Sequence, residues 1–345
     1  MLKVNINYPL SEFTLCAELA IEQGTIQGIY GPSGAGKSCL LACISGQIKG
    51  QRIFNNGIEL TNLSSEQKGI SHQLQSSQLF PHLDVAENLK FACKHRPKTN
   101  NQISFTEVIE QLEIGALLQR NVSSLSGGET QRVTFARTLL VGQNIILLDE
   151  PFAALDWQKR YIMLNAIRYF ASTKNITFLF VSHSLRELSF CCDQLLQLIN
   201  GRVVNKDAIQ QAVNAITLQQ AFTPFSYLKV DEVEFLKEHQ LYKLTLKDSQ
   251  QFIYTNLASV VVTHSLCINA DRVNLLQSID KNKANINILC CTYQRVYIEG
   301  NKAVVHLDIC GQSLICILTT LEWQIYAFTE GQTVYAQIPV HTVDE

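Results

Sequence analysis

The sequence predicts an α/β domain followed by an all-β region, and three observations carry that expectation. Over roughly the first 200 residues, short apolar runs ending in turn or acidic residues alternate with helix-like segments. From about Ser226 the texture changes to short β-rich runs separated by turns. At 345 residues the chain is long for one core, and a prior of about 150 residues per domain gives two.

Each element follows from its own pattern. "TIQGIYG" (25–31), "NIILLDE" (144–150) and "ITFLFVSH" (176–183) are short apolar runs, suited to parallel strands buried on both faces. "FTEVIEQLEIGALLQR" repeats apolar residues at helical spacing through Phe105, Val108, Ile109 and Leu112, so the middle segment reads as largely helical. Beyond "NGRVVNKDAIQQAV" come "LYKLTLKDSQQFIYTNL" (241–257), "AVVHLDICGQSLICIL" (303–318) and "TVYAQIPV" (333–340). Their alternation and the turn-like "DSQ" and "CGQ" suggest small barrels or sandwiches. The first two of these share a strand–turn–strand rhythm about 60 residues apart, a hint of a duplicated β-module. The boundary is expected near Thr223-Pro224.

Composition narrows the class. The chain is 46% hydrophobic and 17% charged, too apolar for disorder. With 28 basic and 30 acidic residues it has a net charge of −2, without the basic surplus of a nucleic-acid binder. Its eleven cysteines include two adjacent pairs, Cys191-Cys192 and Cys290-Cys291, and no CxxC of zinc spacing. They read as small hydrophobes in a reducing cytoplasm. "MLKVNINYPL" lacks a signal-peptide core, and no apolar run approaches the ~20 residues that span a bilayer, so the chain is expected to be soluble on its own.

"GPSGAGKS" fits GxxxxGK[ST] between an apolar strand and the helical "CLLACISG", the context a P-loop requires. Gly31, Pro32, Ser33, Gly34, Ala35 and Gly36 would turn backbone N–H groups inward around phosphate oxygens at a helix N-terminus. Lys37 would reach the outer phosphates, and the Ser38 hydroxyl would hold Mg²⁺. Asp149 ends an apolar strand, placed to bind Mg²⁺ through water. Glu150 follows at once and is expected to point the other way, because adjacent strand residues alternate. A carboxylate beside a terminal phosphate can polarise an attacking water, the role expected of Glu150. His183 also ends an apolar strand, and by itself reads equally as a structural hydrogen-bonder. "LSGGETQR" (125–132) sets two glycines before a helix, at about 1 kcal/mol each where a helix must form, without offering a catalytic side chain.

Together these stretches resemble the nucleotide-binding subunit of ABC transporters over residues 1 to about 225. The order is Walker A at Gly31–Ser38, a Q-loop glutamine at Gln75, the signature at Leu125–Glu129, Walker B at Asp149-Glu150, a D-loop "AALD" at Ala153–Asp156 and a switch histidine at His183. The resemblance implies an α/β P-loop NTPase fold with a helical subdomain at about 83–140. It implies ATP and Mg²⁺ as ligands, with Ser38, Gln75 and Asp149 around the metal and Glu150, His183 and Gln75 in catalysis. It further implies a head-to-tail dimer in which Ser126, Gly127, Gly128 and Glu129 face the γ-phosphate held by the other copy. Integral membrane permease subunits, a periplasmic substrate-binding protein acting indirectly and a peripheral position on the cytoplasmic face of the bacterial inner membrane follow from the same likeness. Adenine would stack on Tyr8 or Phe13, each of which could equally be a core aromatic. "SHQLQ" places Leu74 where an aromatic usually precedes the Q-loop glutamine.

Over its whole length the chain is similar to the ATP-binding subunits of bacterial molybdate importers, through "LSGGETQRVTFARTLL", "LLDEPFAALD", "FVSHSLREL" and the tail "INADRVNLLQ…TVYAQI". The likeness implies that residues 226–345 are a β-rich, OB-like regulatory region, with a molybdate-binding-type module at about 280–345. In "KANINIL" (283–289), Ala284 and Ile286 replace the Ser and Arg of the usual oxyanion turn. Only Asn287 survives, which favours a structural or dimer-contact role. Sulfate, tungstate, iron(III) or a polyamine are the alternative cargoes, and a soluble ABC ATPase outside transport is the alternative class.

Overall fold

The computed structural model describes residues 1–61, 63, 67–74, 79–96, 103–152, 155, 157–209, 212, 225–256, 265–277 and 287–340. Gln75, residues 153, 154 and 156 of the expected D-loop, and Lys283, Ala284 and Ile286 lie outside them. The chain forms two compact units, Met1–Asn214 and Ala215–Glu345, dividing earlier than the boundary expected near Thr223-Pro224.

The first unit is built on a ten-stranded sheet. Its strands are β1 (Leu2–Pro9), β2 (Thr14–Ile21), β3 (Ile26–Tyr30), β4 (Arg52–Asn55), β5 (Ile58–Glu59), β6 (Ile70–Gln73), β7 (Ile145–Asp149), β8 (Thr177–Val181), β9 (Gln194–Ile199) and β10 (Arg202–Ala208). The order is β5-β4-β1-β2-β10-β9-β3-β8-β7-β6. From β9 to β6 all pairings are parallel. The three runs expected to be buried parallel strands are β3, β7 and β8, and every residue of each is buried. β1 and β2 instead alternate buried and exposed, as an antiparallel pair with one wet face does.

Among the described residues six helices serve this sheet: α1 (Lys37–Ser45), α2 (Val85–Lys94), α3 (Phe105–Gln111), α4 (Gly127–Leu140), α5 (Trp157–Lys174) and α6 (Leu185–Cys191). In α1, Leu40, Leu41 and Ile44 are wholly buried against β1, β2 and β3 residues. At about 1.5–3 kcal/mol for each such side chain, this packing fixes where the N-terminus of α1 stands. The helix expected over 105–120 is shorter: α3 stops at Gln111, Glu113 takes a left-handed φ of 51°, and Gly115–Leu117 is a single 3₁₀ turn. Helical spacing of apolar residues persists through such a break because the 3₁₀ turn keeps Ile114 and Leu117 on the buried side.

Among its described residues the second unit is all-β apart from one short α-helix and a single 3₁₀ turn. β11 (Phe225–Leu236), β12 (Leu241–Leu246), β13 (Phe252–Thr255) and β14 (Ser265–Asn269) form a sheet in the order β13-β12-β11-β14. β15 (Asn274–Leu276), β16 (Ile288–Glu299), β17 (Lys302–Ile309), β18 (Gln312–Thr319) and β19 (Thr333–Gln337) form another, β15-β19-β16-β17-β18, with α7 (Thr320–Tyr326) after β18. The two expected strand–turn–strand runs are the hairpins β12–β13 and β17–β18, one in each sheet.

One apolar core joins these sheets, and amide side chains stitch their edges where backbone ladders stop. Gln251 accepts from the Cys290 N–H at 2.6 Å and donates to its carbonyl at 3.0 Å. Gln312 does the same for Lys229. Asn287 accepts from the Tyr254 N–H at 2.7 Å and donates to its carbonyl at 2.9 Å. Each amide stands in for a strand residue and satisfies backbone groups that would otherwise be orphaned. None of the eleven cysteines forms a disulfide; Cys43, Cys191, Cys192, Cys291 and Cys316 are buried, whereas Cys16, Cys290 and Cys310 are exposed. Among the described residues no helix is long and apolar enough to cross a membrane.

Candidate active site

The site stands at the carboxyl ends of β3, β7 and β8. Between β3 and α1, residues 31–36 make a loop whose shape two glycines impose. A Cβ on Gly31 would lie 2.1 Å from the Leu198 carbonyl oxygen of β9, so no other residue fits without moving backbone. Gly36 takes φ 99°, a left-handed conformation, as the residue that opens α1. Lys37 crosses back over the loop and donates from Nζ to the carbonyls of Gly31 (2.8 Å) and Pro32 (2.9 Å). Burial pushes its amine below the ordinary lysine range, and the carboxylates of Glu150 and Asp149 pull it back up. Pro32, Ser33, Gly34 and Ser38 are exposed, and Ala35 is buried behind them.

Asp149 closes β7 and is 6% exposed. Glu150 does not continue the strand. Its φ is 47°, so alternation along a strand is not what separates the two carboxylates, as the sequence had suggested. Its N–H donates to the Val181 carbonyl of β8 at 3.2 Å, anchoring the turn where it leaves the sheet. A non-glycine residue held there costs about 1–2 kcal/mol, a strain that accumulates where geometry serves a site. The turn brings Glu150 Oε1 to 2.6 Å from Nε2 of His183, which follows β8. These two residues, 33 positions apart in sequence, thus form one carboxylate–imidazole pair beside Lys37 and Asp149. Such a pair can take a proton from water and keep the resulting charge close to an imidazole N–H.

The donors suit a magnesium ion. Asp149 and Ser38 offer hard oxygens, and Mg²⁺ typically takes one or two such protein ligands with substrate phosphates and water completing its shell. Among the described residues there is no group of three or more His, Cys, Asp or Glu that could hold a metal ion. Gln75, the third expected ligand, lies outside the described residues.

Ser126 caps α4. Its hydroxyl accepts from the Glu129 N–H at 3.3 Å, and the Glu129 carboxylate accepts from the Ser126 N–H at 2.8 Å. These bonds, with help from Arg120 and Arg132, hold the Glu129 carboxyl below the usual range. Glu129 is therefore committed to the cap. The exposed groups are the Ser126 side chain and the first turn of backbone at Gly127, on a helix end that favours anions. Gly127 and Gly128 are its first two helical positions.

Of the two aromatics, Phe13 lies on the flank of the loop. Its ring is 3.5 Å from where a Cβ on Gly36 would stand and 2.4 Å from that of Gly201. Tyr8 is half-buried against the core of β1, β2 and α1. Asn287 spends its amide on Tyr254 and is 1% exposed, an arrangement in keeping with a structural role.

Sequence reasoning missed what lies behind His183. Ser182 Oγ accepts from the Ser184 N–H (3.0 Å) and donates to Glu187 Oε2 (2.6 Å). Glu187, 4% exposed, accepts from Arg160 at 2.6 Å. A signal was there: Ser184-x-x-Glu187 reads as a capping box. The Ser184 hydroxyl does accept from the Glu187 N–H, but the carboxylate turns inward instead of back to the cap.

A phosphate loop at the switch of a mostly parallel sheet, an acidic strand end beside it and a capped anion-facing helix define a P-loop ATPase of the ATP-binding-cassette class. The family profile described as ABC transporter matches residues 16–153. A molybdenum import ATP-binding protein from Pseudomonas savastanoi is 30% identical over 350 residues, covering 97% of this chain and 96% of that protein. Another from Escherichia coli strain 536 is 30% identical, covering 98% of each. Among solved structures, a dimeric, post-hydrolysis ATP-binding cassette bound to ADP and Pi matches 61% of this chain and 99% of its own, at 23% identity and TM-score 0.53. A cassette of an ABC transporter in its ADP conformation matches 63% and 94%, at 25% identity and TM-score 0.54. The chain belongs to the molybdenum import ATP-binding protein family of ABC transporters.

Proposed function

We propose that this chain is the ATP-hydrolysing subunit of an ABC importer and that its cargo is molybdate. The observation that carries the ATPase reading is the 2.6 Å contact between Glu150 and His183 beside Lys37 and Asp149. The cargo reading rests on full-length likeness to proteins named for molybdenum import. The phosphates of ATP lie in the loop 31–36, with the Lys37 amine released from the two carbonyls to meet them. Ser38, Asp149 and Gln75 would hold a magnesium ion arriving with the nucleotide, which would neutralise phosphate charge. Glu150 takes the proton of the attacking water, and His183 keeps the carboxylate oriented. Phe13 flanks the adenine side.

Two copies act head to tail, each giving Ser126, Gly127 and the N-terminus of α4 to the nucleotide on its partner. The dimeric cassette among the similar structures supports such a pairing. Closure of the dimer moves permease subunits in the membrane, with the chain on their cytoplasmic face and the periplasmic binding protein reached only through them.

Two measurements test the reading. Glu150→Gln keeps ATP binding and dimerises on ATP while turnover falls by roughly 10²–10⁴; normal turnover refutes the base assignment. Molybdate uptake in cells that lose and regain the chain, with sulfate and tungstate as competitors, tests the cargo. Restored uptake of another oxyanion alone refutes it.

A further inference from the structure

We propose that Arg160 and Glu187 are positioning residues that hold His183 against Glu150. The inference rests on the catalytic reading of that pair. Four polar links lead away from the His183 turn. Ser182 and Ser184 flank His183, and the Ser182 hydroxyl closes the turn by accepting from Ser184 N–H. That hydroxyl has one proton, and it goes to Glu187 at 2.6 Å. The other oxygen of Glu187 receives Arg160 Nη1 at 2.6 Å. Arg160 Nε then donates to the Leu155 carbonyl at 2.7 Å, and Leu155 N–H in turn bonds the Phe152 carbonyl at 3.1 Å. Phe152 and Leu155 are buried and belong to the segment that runs on from Glu150. The links therefore start at the residues on either side of His183 and end on the chain leading from Glu150.

The pair itself is weakly enclosed: the His183 side chain is 45% exposed and that of Glu150 26%, whereas that of Glu187 is 6%. An exposed imidazole free to rotate would spend little time at 2.6 Å, and fixing it costs rotamer entropy. Anchoring belongs to the buried partner. Glu187 is buried as a charge, which is tolerable only because Arg160 pairs with it and Ser182 completes its bonds. Arg160 uses two different nitrogens on two different segments, something a lysine cannot copy.

The test is a mutant cycle in the purified full chain, by single-turnover ATP hydrolysis under Mg-ATP. Glu187→Gln and Arg160→Lys are expected to lower kcat ten- to a hundredfold while KM for ATP stays within threefold. The double variant should be no worse than the poorer single one. In a His183→Ala background the loss from Glu187→Gln should vanish, because the group being positioned is gone. In parallel, carbethoxylation of His183, read at that residue by mass spectrometry, should rise several-fold in either variant as the imidazole leaves Glu150. If Glu187→Gln fails to fold, Ser182→Ala cuts the same relay without disturbing a charge. Equal losses from Glu187→Gln with and without His183, or an unchanged reaction rate of His183, overturn the positioning role. Full activity in His183→Ala alone overturns the catalytic reading of the pair instead, so the two failures are told apart.

Discussion

Gly31→Ala is the sharpest single probe of the phosphate loop. The new Cβ would sit 2.1 Å from the Leu198 carbonyl oxygen and 3.2 Å from its carbon. A carbon–oxygen contact settles near 3.3 Å, so about 1 Å of movement is needed. Leu198 cannot supply it: it lies in β9, is 0% exposed and is packed with Ile29 and Leu196 in the core. The loop must move, and Lys37 moves with it because its amine is bonded to the displaced Gly31 carbonyl. Overpacking of this kind costs about 1–3 kcal/mol of stability. A shift of ~1 Å in groups that position a reacting phosphate costs on the order of 10²-fold in turnover. Calorimetry of ATP binding and steady-state hydrolysis read both effects, with a melting curve to separate them from unfolding. Gly34→Ala is the control for backbone strain alone, since φ is 80° there but no atom lies within 4 Å of the added methyl. If Gly31→Ala bound and hydrolysed ATP within threefold of the parent, the loop would not be the rigid phosphate cradle described above.

Three further outcomes follow from other parts of the chain. Ser126→Arg should leave nucleotide binding at Lys37 intact and abolish ATP-driven dimerisation in light scattering; loss of binding in the monomer would sink the two-chain site. Asn287→Ala strips the Tyr254 backbone of both partners at a 1%-exposed position, so the unfolding free energy of the second unit, read from urea titration, should fall by roughly 1–3 kcal/mol for each orphaned group. Molybdate calorimetry of the full chain should not change with it; if it did, Asn287 would be an oxyanion ligand after all. His306 is 3% exposed, and burial, aided by Arg295, lowers its pKa to about 4. The neutral ring is thus favoured in the folded state, and stability present above the ordinary 6.5 is lost as pH falls toward 4. Between pH 7.5 and 5 that loss is ~2 kcal/mol from this group. Urea titrations followed by Trp323 in a Trp157→Phe background check it, and His306→Phe should flatten the dependence; an equal slope in that variant would place the titrating group elsewhere.

How much of this was legible follows from where each constraint acts. Phosphate binding is a local demand. It fixes Gly31, Gly36, Lys37 and Ser38 within one turn of chain, and the sequence displays them together. Parallel strands buried on both faces are local too, since β3, β7 and β8 must be apolar at every position. The left-handed turn at Glu150 was not legible. No glycine or asparagine marks it, and the bond from its N–H to Val181, a neighbour across the sheet, anchors it. Phe13 and Tyr8 were indistinguishable for the same reason: the contact with Gly36 and Gly201 arises from the β1–β2 hairpin folding back onto two segments remote in sequence.

The Glu150–His183 pair shows why such remote constraints concentrate at a site. Each residue follows the end of a strand, and β7 and β8 are neighbours, so pairing of Asp149 with Val181 brings the two segments together without aiming either side chain. Aiming requires that one rotamer of each be selected while both stay open enough to admit water and phosphate. Apolar packing could select rotamers only by closing the site. Hydrogen bonds from behind can do so from the buried side: Ser182 and Glu187 are both excluded from solvent, and Arg160, with a side chain 26% exposed, closes the relay behind them. The cost is a buried charge, and it is offset only while both partners are present, since losing one partner of such a pair costs about 3–5 kcal/mol. A residue chosen for that purpose is selected by its partner's position and not by its own neighbours in sequence. This is why Arg160 and Glu187 looked, in the sequence, like ordinary polar positions on two helices.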